Sequence, residues 1–227
     1  MKRPIFANGE FYHIYNRGVE KRVIFQDKGD YFRFIYHLHE LNRPESAENY
    51  RYKKSSFQLH EVKPREKESS LVNIYAFCLM PNHFHILLSQ VADNGISVFM
   101  QKLGTGYSMF FNKKYKRVGS LFQGTFKAVH VTNNEYLYYL PHYIHLNPLD
   151  LASKNKQKDN LTFLSSYKWS SYMDYMGKKN FPSLLAMEQI REVFSTPDEY
   201  TASLNDWVST KSNLDRDDVF IDSFHEV

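Results

Sequence analysis

A single cysteine, Cys78, in 227 residues excludes an internal disulfide and any zinc site assembled from several thiolates. It lies in the apolar run Ile74-Tyr75-Ala76-Phe77-Cys78-Leu79-Met80 and reads as a buried, inert thiol. No stretch approaches the ~18 consecutive apolar residues of a membrane-spanning helix, so no membrane partner is expected. The start, Met1-Lys2-Arg3-Pro4-Ile5-Phe6, has no long apolar segment behind its charges; no secretion signal is visible, and a cytoplasmic protein is expected. Glycine is sparse, at nine residues, and none falls in a phosphate-cradling or dinucleotide-binding loop. A nucleophile elbow and a His-Glu-x-x-His pair are missing too. Nucleotide cofactors, serine hydrolases and that class of zinc protease therefore lack support. Nor does one sign of charge dominate: 29 Lys and Arg stand against 25 Asp and Glu, and a net charge of +4 favours an anionic partner only mildly.

Aromatic residues, by contrast, are abundant. Seventeen Tyr, 18 Phe and two Trp make up 16% of the chain. Most belong in a core, and a surplus on a basic protein suits the stacking of unpaired bases. The length allows one domain with an appendage. Glu10 to Val19 alternates as a first strand and ends in the turn signal Asn16-Arg17-Gly18. Asp27 to Leu41 has helical apolar spacing, with Asp27 or Asp30 as N-cap. Residues 43–70 are dense in Lys, Arg, Glu and Ser and read as a polar insertion. Two strands follow and meet near Met80-Pro81-Asn82-His83. Ile96 to Tyr115 is a second helix, weakened by Gly104 and Gly106, and Gly124 to Val131 alternates as a fourth strand. Asn133 or Asn134 caps a further helix that Pro141 should break or restart. This order predicts an α+β fold: a ferredoxin-like antiparallel sheet with helices packed on it, plus a C-terminal helix. Residues 1–150 would form that domain. Residues 151–227 read as a mostly helical extension, with a helix over Phe181–Phe194 and an acidic tail from Asn213.

Three groups of residues carry chemistry in this pattern. His83 and His85 flank Phe84 on a strand, so alternation puts both imidazoles on one face, about 7 Å apart along the backbone, and sends Phe84 into the core. They can converge on one divalent cation, although an isolated His-x-His is also an ordinary surface or hydrogen-bonded pair. Tyr143 and Asn147, four residues apart, share a face of the last helix. Packing accounts for a helix-face tyrosine equally well, and an Asn before Pro148 is an ordinary helix terminator. Lys113, Lys114, Lys116, Arg117 and Lys127 fall in a stretch, Lys102 to Lys127, with six cations and no acid. That suits phosphates, or simply a solvated surface.

Together these motifs resemble a known family. Pro81-Asn82-His83-Phe84-His85 is similar to the HUH signature of single-tyrosine transposases, where U is a bulky hydrophobic residue. Tyr143-Ile-His-Leu-Asn147-Pro148 resembles the tyrosine-helix motif of their REP-associated branch. Tyr12-His13-Ile-Tyr-Asn16-Arg17-Gly18, Gly124-Thr-Phe-Lys127 and Trp169-Ser-Ser-Tyr172 also resemble that branch, all in family order. The resemblance implies that His83 and His85 bind Mg²⁺ or Mn²⁺. Asn147 would give a third ligand through its amide oxygen, where relatives often carry the longer Gln, and His145 points off the Tyr143 face. Tyr143 would be the nucleophile of a transposase-type endonuclease and strand transferase. Such an enzyme cleaves and rejoins single-stranded DNA near hairpins through a 5′-phosphotyrosine, as a monomer or homodimer.

The chemistry is coherent on physical grounds as well. Phosphodiester cleavage by a side chain needs a nucleophile and a Lewis acid, and a tyrosine with a reference pKa of about 10 must lose its proton during attack. The covalent bond conserves phosphodiester energy, which agrees with the missing nucleotide loop. Arg17, Lys113, Lys114, Lys116, Arg117 and Lys127 would neutralise backbone phosphates. Two rivals keep the same residues. One is a catalytically silent relative that only binds structured DNA or RNA. The other is a metallohydrolase that activates water at the histidine pair, against which stands the lack of Asp or Glu in the motif.

Overall fold

A computed structural model of the chain describes residues 3–44, 70–154 and 160–211. Most of the polar insertion expected at 43–70, and the acidic tail from Asn213, lie outside the described residues. Four strands, β1 (Phe11–Arg17), β2 (Val72–Met80), β3 (His83–Gln90) and β4 (Lys127–His130), form one sheet in the order β2-β3-β1-β4. Every neighbouring pair is antiparallel. This is the expected α+β, ferredoxin-like arrangement.

Helices α1 (Lys28–Glu40) and α2 (Gly95–Lys114) cover one face of the sheet. Asp27 caps α1 by a reciprocal box: its side chain accepts from Asp30 N, and the Asp30 carboxylate accepts from Asp27 N. Phe84, on this face of β3, has its ring centroid 5.0 Å from that of Phe34 on α1, which in turn meets Tyr107 of α2 at 5.0 Å. The two glycines do not interrupt α2. A Cβ on Gly106 would stand 3.4 Å from a Leu41 methyl and 3.5 Å from the His37 ring, in contact with α1 and its C-cap.

Helix α3 (Asn134–Leu146) covers the opposite face, over β2 and β3. Asn133 is its N-cap, accepting from Tyr136 N at 2.6 Å. The helix continues through Pro141 where a break was expected. Residues Leu140 to Ile144 and His145 are all buried, and that packing outweighs the ~3 kcal/mol that an interior proline costs a helix. Helices α4 (Leu149–Lys154), α5 (Asn160–Ser166), α6 (Tyr172–Tyr175), α7 (Met187–Val193) and α8 (Pro197–Lys211) follow. The helix expected over Phe181–Phe194 is split into a 3₁₀ turn at Pro182–Leu184 and α7. Between them Ala186 N donates to Ile74 O of β2 at 2.8 Å, which requires extended backbone there. The outer edge of β2 is covered in the same way, by Leu79 N to Trp169 O (2.9 Å) and Ser171 N to Phe77 O (3.0 Å). Among the described residues no helix is long and apolar enough to cross a membrane.

Candidate active site

Strand alternation and register assemble the site on the α3 face. His83 and His85 point to that face of β3, and their register partners on β1, Arg17 and Tyr15, point the same way. The two imidazoles lie nearly perpendicular, with centroids 5.1 Å apart. Tyr143, on the buried side of α3 and 9% exposed, meets His85 edge-on at 5.6 Å between ring centroids. Sequence reading missed a further member. His13 of β1 meets Tyr143 at 5.8 Å, lies nearly parallel to His85 with ring centroids 5.0 Å apart, and brings its Nε2 to 2.9 Å from His85 Nδ1.

Burial keeps His13 and His85 neutral. Burial alone lowers the His13 pKa to about 3. Burial also holds His85 well below the ordinary histidine range, with His13, His83 and Arg17 adding to the effect. A neutral imidazole is a ligand, a protonated one is not. His85 Nε2 is enclosed and has no hydrogen-bond partner, a costly arrangement unless something else fills that position. His83 Nδ1 lies 2.7 Å from Asn82 Oδ1, so Nε2 is the nitrogen it could offer a cation. Asn147 turns its Nδ2 back onto Tyr143 O at 2.9 Å, so Oδ1 is the atom it could offer a cation. Among the described residues no three His, Cys, Asp or Glu side chains form a metal cluster. His85 Nε2, His83 Nε2 and Asn147 Oδ1 are the donor atoms these residues could offer a divalent cation.

The basic residues divide. Arg17 and Lys127 lie on the site's face of the sheet, and Lys127 Nζ is 5.7 Å from the Tyr15 ring centroid. Lys113, Lys114, Lys116 and Arg117 sit at the end of α2, in the opposite layer. Lys113, Lys116 and Lys127 are exposed. Lys114 is committed elsewhere: its Nζ lies 2.7 Å from both Asp27 Oδ2 and the fully buried Asp30 Oδ1. Arg117 donates to Asn112 Oδ1 at 2.9 Å.

His145, on α3 two residues past the tyrosine, faces the C-terminal helices. Its Nδ1 bonds Tyr200 Oη at 2.5 Å and its Nε2 bonds Ser171 Oγ at 2.6 Å. Ser171 Oγ in turn accepts from Phe77 N of β2 at 2.9 Å. His142 stacks on Tyr200, 4.8 Å away and 6° from parallel. The tyrosine helix is thus tied both to the sheet and to α8.

Comparison with known proteins adds two findings. A family model described as IS200-like transposase matches residues 31–147, just over half of the chain. That span takes in His83, His85, Tyr143 and Asn147 but stops short of His13 and Arg17. A solved structure of a REP-associated tyrosine transposase bound to a REP hairpin has a similar fold, with a TM-score of 0.52 at 14% identity over 82% of this chain and 90% of that one. No curated protein matches the sequence.

Proposed function

The chain belongs to the IS200-like transposase family, and from that premise we propose that it is a metal-dependent, single-tyrosine transesterase that cleaves and rejoins single-stranded DNA beside hairpins. The observation that carries this reading is the meeting of Tyr143 with His85: a tyrosine edge-on to one candidate ligand, whose ring centroid is 5.1 Å from that of the second, His83, and whose Nε2 is unpartnered.

His83 and His85 would hold Mg²⁺ or Mn²⁺, with Asn147 Oδ1 as third ligand. A bound ion would supply Lewis-acid neutralisation of phosphate charge. Tyr143 Oη forms a bond to phosphorus and gives up its proton. The P–O3′ bond breaks, and the leaving oxygen takes a proton to become a free 3′-OH. The strand's 5′-phosphate stays on the tyrosine. Attack by a second 3′-OH reverses these steps and joins strands, with one phosphodiester lost and one made. Packing of α3 onto β2 and β3 holds Tyr143 in place for both directions. Arg17, Lys113, Lys116, Arg117 and Lys127 contact backbone phosphates, whereas Lys114 serves chiefly the Asp27–Asp30 pair. The hairpin bound by the solved relative is the reason to choose hairpin-bearing strands as substrate.

The test incubates such oligonucleotides with protein and Mn²⁺ and resolves the mixture on a denaturing protein gel. A metal-dependent shifted band should appear with the wild type and vanish in Tyr143→Phe and His83→Ala. Cleavage that persists in Tyr143→Phe would select the metallohydrolase, and binding without cleavage across hairpin sequences the silent binder.

A further inference from the structure

His13 has no role in the steps above, yet it touches the one candidate ligand whose outer nitrogen lacks a partner. We infer that His13 is a positioning residue: it accepts the Nδ1–H of His85 and thereby fixes the tautomer in which the His85 Nε2 lone pair faces the cation. This role rests on the proposed reading of His83 and His85 as metal ligands.

The argument is one of proton counting. His13 Nε2 and His85 Nδ1 are 2.9 Å apart, in nearly parallel rings 19° from coplanar, and one proton lies between them. If His13 donates, neutral His85 carries its own proton on Nε2 and can ligate nothing from there. If His85 donates, Nε2 is a lone pair and His13 keeps its proton on Nδ1. Only the second arrangement serves a cation.

The neighbouring ligand is set the same way by different chemistry. Asn82 Nδ2 donates to Lys21 O at 3.2 Å, which orients the amide and leaves Oδ1 toward His83 Nδ1. An amide oxygen only accepts, so His83 carries its proton on Nδ1 and offers Nε2. Each histidine of the pair thus has an acceptor behind its Nδ1: a carboxamide for His83, an imidazole for His85. Metal-bound histidines ordinarily donate that proton to a carboxylate, carbonyl or water. A neutral imidazole in the same position adds no negative charge to the site. The ring is itself held, between the hydrogen-bonded His85 and the ring of Tyr143.

The test titrates Mn²⁺ into the metal-free full-length protein, read by the electron paramagnetic resonance of free Mn²⁺ and by calorimetry. His13→Phe keeps an aromatic ring but no acceptor, and should weaken Mn²⁺ binding about 10–100-fold. His13→Gln restores an accepting oxygen and should recover most of that loss. In the metal-free wild type, ¹⁵N-histidine NMR should show His85 protonated on Nδ1, a signature that packing alone does not set and that does not depend on either variant folding. Mn²⁺ affinity unchanged in His13→Phe, or His85 found protonated on Nε2, overturns the role while leaving the metal reading intact. A wild type that binds no Mn²⁺ overturns the metal reading and this role with it.

Discussion

Two buried histidine environments lie on the same face of the sheet, and they differ in a way that burial alone does not show. His145 is enclosed and has both ring nitrogens bonded, to Tyr200 and Ser171. His85 is equally enclosed but has only Nδ1 bonded, with Nε2 left without a partner. A satisfied imidazole is cement, here fastening the tyrosine helix to the C-terminal helices and to β2. His37, His39 and His142 also have open ring nitrogens, so what singles out His85 is that its open nitrogen belongs to a ring next to both His83 and Tyr143.

The largest expected effect separates the two sites directly. His85→Ala should abolish Mn²⁺-dependent cleavage, a loss of at least about 100-fold, with a smaller change in stability. His145→Ala should do the reverse, costing about 2–4 kcal/mol in urea unfolding for two lost buried bonds while Mn²⁺ affinity holds. If His145→Ala loses metal and His85→Ala loses only stability, the comparison is backwards.

Acidification probes the buried histidines away from the candidate ligands next. Burial lowers His37 to about 3 and His142 to about 4, and holds His145 well below the ordinary range. In the unfolded chain each returns to about 6.5. Below that pH the unfolded state takes up protons that the folded state refuses. The stability is complete above about pH 6.5 and falls as pH drops, by up to about 1.4 kcal/mol per unit for each histidine. Asp174, raised to about 6 by burial, opposes this with one proton between roughly pH 4 and 6. Urea unfolding at pH 7.5, 6.5 and 5.5 should show the decline, shallower in His145→Phe. A flat profile would mean these rings are not held neutral.

The smallest effects concern the lysines. Lys127→Ala should weaken DNA binding for all sequences alike and reduce the slope of log affinity against log salt by about 1. Lys114→Ala should leave that slope nearly unchanged and cost about 1–3 kcal/mol, because it strips a partner from buried Asp30. Filter binding over a salt series, with melting curves beside it, tells the two apart.

Much of this was legible from local pattern. Alternation in β1, β2 and β3, helical spacing in α1, and the capping signals at Asp27 and Asn133 led to the sheet and its layers. The convergence of His83 and His85 follows from strand period, and the pairing with Tyr143 came from the family resemblance. What escaped depends on partners distant in sequence. His13 meets His85 across 72 residues, through a strand register that no local pattern encodes; its only signal was a place in the Tyr12–Gly18 motif, on the same strand face as Arg17. Lys114 reaches Asp27 and Asp30 across 87 and 84 residues, so it read as one more member of a basic run. The unbroken helix at Pro141 and the split at Leu185–Ala186 have the same origin, since tertiary packing in one case and a bridge to β2 in the other override local preference.

The central claim is that Tyr143, beside His85 with its open Nε2, is the nucleophile that bonds to phosphorus. The most direct measurement digests the protein–DNA adduct with protease and nuclease and reads the modified peptide by mass spectrometry. The account predicts a nucleotide joined through its 5′-phosphate to Tyr143. Cleaved DNA with no adduct, or an adduct on Tyr138 or Tyr139 instead, would contradict it.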